Sequence, residues 1–263
     1  MVKVSVLMGT RNGEKYISEA IESIVNQSFS DLELIICNDF STDSTQKIIT
    51  KWQKRDHRIK LYQNNQTPGF TGALNTGLKQ CQGKYVARMD DDDIALPNRI
   101  KVEYEYLEKN KQVSLVGSNA NYFDSNGIYG ESHLKEKPSK VDIWKGSVFL
   151  HPTVMFRKEI LNHVGYYDES NSVIRIEDYD YWCRFYVEGL LGVNLRSKLL
   201  NYREDNDSFS KRTTISRVRL VKRMDFYRVL LRIPGYFFLK ELFEACKILI
   251  PEWLIQRYHR MTK

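Results

Sequence analysis

Four consecutive aspartates, Asp90–Asp93, are the residues whose type and spacing most directly indicate chemistry. Residues 84–87 form a largely apolar stretch that predicts a buried strand. Arg88 and Met89 follow this stretch, and the four aspartates come directly after them. Adjacent like charges repel by about 1–4 kcal/mol per pair, depending on the local dielectric, so four carboxylates need a positive partner. Carboxylate oxygens suit a hard divalent cation shared with a phosphate-bearing substrate. The alternative is a solvated acidic loop before a helix that begins near Pro97.

The chain before these acids predicts the element that positions them. Apolar runs at 2–8, 32–37 and 59–62 predict three further strands, each followed by a helical pattern. This succession predicts an α/β fold with a parallel sheet and crossover helices. Polar residues follow three of the strands: Thr10, Arg11 and Asn12; Asn38 and Asp39; and the four acids. Because open α/β sheets bind ligands at the carboxyl ends of their strands, we expect these residues to converge on one crevice.

Two common nucleotide-binding classes are disfavoured, since no Gly-x-Gly-x-x-Gly follows the first strand and the chain has no Walker loop. Further along, the pattern predicts a helix over 97–110, a strand over 113–117 and an extended stretch over 148–157, with 119–140 irregular. A second acidic pair, Glu177-Asp178, opens a helical pattern. These two acids are candidates for chemistry, or simply first-turn residues favoured by the helix dipole.

Composition predicts a globular protein, with 42% hydrophobic residues, 16 Tyr and 12 Phe in 263 residues. The four cysteines are far apart and form no Cys-x-x-Cys pair, so we expect buried free thiols in a reducing compartment and no zinc site. No apolar run is typical of a signal peptide or a spanning helix. We therefore expect a cytoplasmic protein.

The net charge of +7 is concentrated at the C-terminal end, where 211–263 holds 13 Lys and Arg against 4 Asp and Glu. Its basic residues surround amphipathic helical patterns that are rich in aromatic side chains. Such a segment is typical of an interfacial helix on an anionic membrane, or of a helical subdomain packed on the rest of the chain with a basic outer face. Nucleic acid is not an expected partner, because the aromatics lie on the apolar helix face instead of alternating with the basic residues.

Several motifs occur in the order found in one enzyme family, and residues 2 to about 210 resemble the family 2 glycosyltransferases, which have the GT-A fold. The matching segments are 4–12; 38–43, where Phe40 replaces the family's usual Gly; 90–99, an Asp-x-Asp-Asp-x-x-x-Pro-x-Arg pattern; Glu177-Asp178; and 202–210. The resemblance implies a mostly parallel central sheet flanked by helices. It also implies a catalytic domain over 1–210, with a nucleotide-binding half (1–118) and an acceptor half (119–210). The change in charge and the amphipathic patterns then predict a separate basic helical extension over 211–263.

The resemblance also implies the reaction, an inverting, metal-dependent transfer of a sugar from a nucleotide-sugar, most simply a UDP-sugar. The acceptor would be a hydroxyl of a glycan or lipid-linked oligosaccharide in capsule, lipopolysaccharide or cell-wall biosynthesis. Asp178 would be the general base. A lipid-linked acceptor would place the enzyme on the inner face of the cell membrane through 211–263. The alternatives are a catalytically inactive relative and a module that binds an anionic surface, whether membrane or nucleic acid.

The donor side is assigned by the same resemblance. Donor-nucleotide contacts fall on Thr10, Arg11, Asn12, Asp39 and Asp90, with Asp39 accepting a hydrogen bond from the uracil N–H. Arg11 stands where many relatives carry a Tyr that packs on the base, and a guanidinium also stacks on rings. Arg88 is either an ion-pair partner of the acids or a contact to the donor phosphates.

Metal and acceptor contacts complete the implied site. Asp90 and Asp92 would hold Mn²⁺ or Mg²⁺, while Asp91 faces solvent and Asp93 supports the following loop. Asp205 occupies the position of a third ligand that is His in many relatives, or is a solvated loop acid. The expected acceptor contacts are Glu177, Trp182 and His151, with core packing the alternative for Trp182 and a satisfied loop histidine for His151.

Overall fold

A nine-stranded sheet forms the centre of the computed structural model, which describes residues 2–204, 214–235 and Cys246. The strand order is β3-β2-β1-β4-β8-β6-β9-β5, with β7 paired to β6. The strands are β1 (Val4–Thr10), β2 (Leu32–Asn38), β3 (Ile59–Gln63), β4 (Tyr85–Met89), β5 (Ile94–Ala95), β6 (Leu115–Asp124), β7 (Gly127–Glu131), β8 (Met155–Arg157) and β9 (Gly192–Arg203).

Helices cover the sheet and bury an apolar layer on each of its faces. They are α1 (Ile17–Val25), α2 (Thr45–Gln53), α3 (Phe70–Gln80), α4 (Arg99–Lys109), α5 (Lys140–Lys145), α6 (Leu161–Val164), α7 (Glu177–Val187) and α8 (Thr214–Leu230). Cys37, Cys81 and Cys183 are buried free thiols, as predicted, whereas Cys246 is exposed.

The first half of the sheet is the parallel unit that the sequence predicts. Strands β3, β2, β1 and β4 are paired in parallel, and β1 and β2 are buried along their whole length. The register aligns Thr10 with Asn38 and Met8 with Met89. The residues that follow these three strands therefore lie at one edge of the sheet.

The second half is mixed, because β8 runs antiparallel to both β4 and β6, and β5 runs antiparallel to β9. The prediction of irregular structure over 119–140 is wrong, since β6 and β7 form a hairpin there. Its strands contain few apolar residues, and hydrogen bonds between polar groups hold the segment together instead. Asn119 Oδ1 accepts from the Ser132 hydroxyl (3.1 Å) and the Leu134 N–H (2.8 Å). The long strand β9 was not predicted either, and its middle is charged and exposed.

The basic C-terminal segment begins with α8, whose apolar face packs against α5 and α7. Met224, Tyr227 and Leu231 are buried, the Trp144 Nε1–H donates to the Met224 carbonyl (2.9 Å), and the Tyr227 hydroxyl donates to Asp180 (2.8 Å). The second amphipathic pattern, over 236–250, lies outside the described residues apart from Cys246. Among the helices that the structure describes, none is long and apolar enough to span a membrane.

Candidate donor and catalytic site

The predicted convergence of strand ends is present in the structure. Thr10 is buried at the end of β1, and its carbonyl accepts a hydrogen bond from the Asp39 N–H (2.8 Å). The same residue's hydroxyl donates to Asp91, in the loop after β4. The ends of β1, β2 and β4 are thus joined by direct hydrogen bonds.

Asp90, Asp92 and Asp93 form the acidic cluster, in which one carboxylate oxygen from each residue lies within 4.8 Å of the others. Asp90 is ion-paired with the Arg88 guanidinium. Asp93 is buried, and its Oδ1 accepts from the Arg203 N–H (2.8 Å), while Arg203 Nε donates to the Asp92 carbonyl (2.8 Å). Asp93 was expected only to support the loop, but its carboxylate also belongs to the cluster.

Burial and mutual repulsion define the electrostatics of the acidic cluster. Burial, together with the charges of Asp90 and Asp91, raises the pKa of Asp92 to about 7. The pKa of Asp93 is raised well above its ordinary value by the same two causes, burial and neighbouring acids. Within the described residues Asp93 Oδ2 is buried without a hydrogen-bond partner. Three convergent carboxylates with excess negative charge and a spare oxygen fit a hard divalent cation.

Asp91 does not face solvent as expected. Its carboxylate accepts from the Thr10 hydroxyl and lies against Gly13, where an added Cβ would come within 2.4 Å of Asp91 Oδ2. Burial and the neighbouring Asp90 raise the pKa of Asp91 to about 6. The residue therefore ties the acidic loop to the turn after β1.

Asp39 is only 2% exposed and its two oxygens have different partners. Oδ1 accepts from Asn64 Nδ2 (2.7 Å) and the Gly69 N–H (3.0 Å). Oδ2 lies 3.6 Å from Arg11 Nη1, on a side chain that is largely exposed. Asn12 has a structural role here, because its Oδ1 accepts from the Thr42 N–H (2.9 Å) and holds the loop after Asp39.

Asp178 lies on the first turn of α7, and its Oδ2 accepts from the Ser147 hydroxyl at 3.3 Å. Its neighbour Glu177 has a raised pKa, caused by burial and then by the Asp178 charge. Both side chains are half-buried and reachable from solvent. This exposure is compatible with contact to an acceptor.

Trp182 is fully buried and packs edge-on against the rings of Phe149 and His151, with centroid separations of 5.6 and 5.8 Å. A side chain without exposed surface offers no face to a sugar, so Trp182 belongs to the core, the alternative kept open above. His151 Nε2 is hydrogen-bonded to the Tyr167 hydroxyl (2.7 Å). Burial, with a smaller contribution from the Arg88 charge, lowers the pKa of His151 well below its ordinary value, so the imidazole is neutral at pH 7.

Arg88 links the acidic cluster to the aromatic rings near His151. It is 2% exposed, and its guanidinium carbon lies 5.1 Å from the Phe70 ring centroid. The same ring makes an edge contact with His151 at a centroid separation of 6.2 Å. Burial raises the pKa of Tyr167, Asp178 raises it further, and Arg88 opposes the change. The charges of Arg88 and Asp178 therefore act on the same hydroxyl.

The roles of Arg203, Asn64 and Gly69 were missed from the sequence. Arg203 belongs to the Tyr202-Arg203 motif, which resembles the closing segment of the family. The motif does not indicate a contact with residues 92 and 93, over a hundred positions earlier. Its guanidinium carbon lies 3.9 Å from the ring centroid of Tyr16 and 4.4 Å from that of Phe123, and the guanidinium pairs with Glu19 (2.8 Å). Asp205, the expected third metal ligand, lies outside the described residues.

The family model of glycosyl transferase family 2 matches residues 5–165, more than half of the chain. The chain belongs to this family. It is 36% identical over 263 residues to EpsE of Bacillus subtilis (98% of this chain and 93% of EpsE), and 35% identical over 219 residues to the O-antigen biosynthesis glycosyltransferase WbnJ of Escherichia coli (79% and 82%). The sequence-based identification as a glycosyltransferase is therefore confirmed.

The fold agrees with this membership. The crystal structure of Staphylococcus aureus TarS 1-349 in complex with UDP superposes with a TM-score of 0.65 at 22% identity, covering 87% of this chain and 69% of that one. The glycosyltransferase therefore has the GT-A fold that the sequence predicted.

The raised pKa of Asp92 predicts how the metal-free protein responds to pH. Between about pH 4 and 7 the unfolded chain ionises this carboxyl while the folded protein keeps its proton, so folding stability falls as pH rises. Asp92→Asn has no carboxyl to ionise, and we expect it to exceed the wild type in free energy of unfolding by roughly 2–4 kcal/mol at pH 8. Urea unfolding in EDTA at pH 8 and pH 4.5 measures the difference.

The exposed Glu105→Gln on α4 is the matched control, for which we expect a change within about 0.5 kcal/mol at both pH values. A gain for Asp92→Asn that is equally large at pH 4.5 would contradict the assigned cause, because the wild-type carboxyl then carries little of the penalty.

Proposed function

We propose that this glycosyltransferase moves a sugar, with inversion, from a nucleotide-sugar to a hydroxyl of a glycan or lipid-linked oligosaccharide. The observation that carries the proposal is the acidic cluster at the same sheet edge as Asp39, together with the half-buried Asp178 on the first turn of α7. A carboxylate that orients a nucleobase, acids that suit a metal diphosphate and a separate base are the parts that such a transfer needs.

The donor is proposed to be a UDP-sugar, bound at the ends of β1, β2 and β4. Asp39 Oδ1 already accepts two hydrogen bonds, which leaves Oδ2 to accept from the uracil N–H. Arg11 lies beside Asp39 in the same crevice, while Thr10 and Asn12 hold the surrounding loops through their hydrogen bonds to Asp91 and Thr42. Mn²⁺ or Mg²⁺ held by Asp90 and Asp92, with Asp93 as the third carboxylate among the described residues, would neutralise the diphosphate as it leaves.

Asp178 is proposed as the general base. It removes the proton from the acceptor hydroxyl while that oxygen attacks the anomeric carbon, and the bond from this carbon to the diphosphate oxygen breaks with its electron pair on the leaving group. Attack from the face opposite the diphosphate inverts the anomeric centre. Glu177 and His151 are proposed to contact the acceptor, since Glu177 precedes Asp178 in the chain and His151 is hydrogen-bonded to the Tyr167 hydroxyl, on which the Asp178 charge acts.

The proposed setting is surface-polysaccharide assembly. WbnJ, a relative at 35% identity, is by name an enzyme of O-antigen biosynthesis, which supports this setting without identifying the sugar or the acceptor. An inactive relative or a pure surface-binding module is the competing function, and both lack any requirement for a nucleotide-sugar.

A donor screen tests the proposed function directly. We expect isothermal titration to detect a UDP-sugar in the presence of Mn²⁺, and the affinity to fall by at least tenfold in EDTA because the diphosphate charge is then unscreened. Titration of UDP-, GDP- and dTDP-sugars reports the nucleotide and the metal dependence together. Failure to bind any of them with metal present would reject the enzyme in favour of a binding module.

The base assignment predicts a separation of binding from turnover. Asp178→Asn should bind the donor with wild-type affinity, because the proposed partner of residue 178 is the acceptor hydroxyl, and should lower transfer by at least about 10²–10⁴-fold. Donor titration and product formation are measured on the same preparation. Glu188→Gln, which removes an exposed acid just after the end of the same helix, should leave both unchanged; wild-type turnover in Asp178→Asn would exclude this residue as the base.

We also propose that the basic segment 211–263 contacts the anionic membrane that carries a lipid-linked acceptor. Within its described part, α8 exposes Ile215, Phe226 and Val229 beside several basic residues, whereas its opposite face is packed. Exposed apolar side chains next to cations favour an anionic lipid interface.

Vesicle flotation tests this contact. We expect binding to vesicles with 30% phosphatidylglycerol, chosen as roughly typical of anionic membranes, weaker binding to pure phosphatidylcholine, and no binding to oligonucleotides at the same salt. Phe226→Ser combined with Val229→Ser should reduce flotation, while Ile128→Ser, an equally exposed residue on β7, should not. Oligonucleotide binding that equals vesicle binding would favour a non-specific polyanion surface instead.

A further inference from the structure

Phe40 combines a left-handed backbone with an exposed aromatic ring. Its φ is 55°, a region that bulky residues rarely adopt, and its side chain is 51% exposed. A glycine would take this conformation without steric cost, and glycine is the usual residue of the resembling motif. The chain thus retains a strained backbone together with an apolar ring in solvent, a combination that points to a binding role.

The surrounding loop fixes this conformation from both sides. The Ser41 N–H donates to Asn38 Oδ1 (3.0 Å), and the Thr42 N–H donates to Asn12 Oδ1 (2.9 Å). The Asn12 N–H in turn donates to the Ser41 hydroxyl (2.9 Å). None of these bonds uses the Phe40 side chain, so the ring can be changed without removing the interactions that shape the loop.

The position of Phe40 identifies what the ring would bind. It follows Asp39 directly, and Asp39 faces the exposed Arg11 guanidinium from the neighbouring strand, since β1 and β2 align Thr10 with Asn38. An aromatic ring, a guanidinium and a hydrogen-bond acceptor at adjoining strand ends are suited to a planar heterocycle with an N–H donor. A nucleobase has this chemistry, whereas a sugar or a diphosphate does not.

We infer that Phe40 is a determinant of donor affinity that supplies an aromatic surface for the nucleobase. The inference rests on the proposed nucleotide-sugar donor and adds to it a residue that the family motif does not predict. Asp39 selects the base edge through a hydrogen bond, while Phe40 contributes base stacking, which tolerates different bases.

Phe40→Leu and Phe40→Gly separate the ring from the backbone. Leu keeps an apolar side chain and the left-handed strain but has no π-face, whereas Gly removes both. We expect both variants to bind UDP roughly tenfold more weakly than the wild type in Mn²⁺, as measured by isothermal titration. Phe40→Gly should have a Tm at or above that of the wild type, because its loop is no longer strained.

Inorganic pyrophosphate with Mn²⁺ is the probe without a base, and we expect wild-type affinity for it in both variants. Tyr166→Leu is the matched control, since Tyr166 is likewise an exposed aromatic residue (41%) but lies just after α6; its UDP affinity should be unchanged. Wild-type UDP affinity in Phe40→Leu would overturn the role of the ring while leaving the donor proposal intact. An equal loss of pyrophosphate affinity in Phe40→Leu would also overturn the role of the ring, because it would show that the loop is distorted. A wild-type protein that binds pyrophosphate but no nucleoside diphosphate would overturn both the role of the ring and the donor proposal.

Discussion

Electrostatic repulsion inside the acidic cluster is the constraint on which the rest of the site depends. Three carboxylates within 4.8 Å of one another are stable only where cations and donors are fixed around them. Arg88 does this from within β4, and its carbonyl accepts from the buried Arg99 on α4 (2.7 Å). Arg203 does it from the end of β9. The two cations come from strands that are distant in sequence, so the geometry of the cluster depends on how the sheet brings β4 and β9 together.

The mixed half of the sheet explains how residues so distant in sequence meet. After the acids, the short strand β5 pairs with β9, so the chain returns to the far edge of the sheet. A purely parallel sheet would have placed the next strand beside β4, whereas here β8 occupies that place in the opposite direction. The antiparallel insertion of β8 brings His151, just before it, to the ring contact with Phe70 near Arg88.

The two halves of the site are also joined through a hydrogen-bonded frame. Asn75 on α3 donates to the Tyr167 carbonyl (2.9 Å) and to Glu169 (2.6 Å), and Glu169 accepts from the Thr67 N–H (3.0 Å). Thr67 in turn accepts from Asn64, the residue that also holds Asp39. The loop that carries Glu169 is therefore fixed to the loop that orients the Asp39 carboxylate. Such a frame limits the misplacement of reacting groups, to which transfer rates are sensitive.

The features that could be predicted from the sequence are those whose cause lies in neighbouring residues. The parallel strands and the edge shared by Thr10, Asp39 and the acids follow from apolar runs ending in polar residues, a signal contained in neighbouring positions. The β6–β7 hairpin did not follow, because its polar residues look like a loop until Ser132 and Leu134 appear as partners of Asn119.

The roles of the individual aspartates also depend on hydrogen-bond partners that are distant in sequence. Asp91 and Asp93 belong to the same run of aspartates. The Asp91 carboxylate accepts a hydrogen bond from Thr10 at the end of β1, whereas the Asp93 carboxylate accepts one from Arg203 at the end of β9. Both partners come from strands on opposite sides of β4 in the sheet order. The roles of identical neighbouring residues therefore differ because the topology of the sheet places a different hydrogen-bond donor beside each carboxylate. The sequence of the run itself does not contain that information.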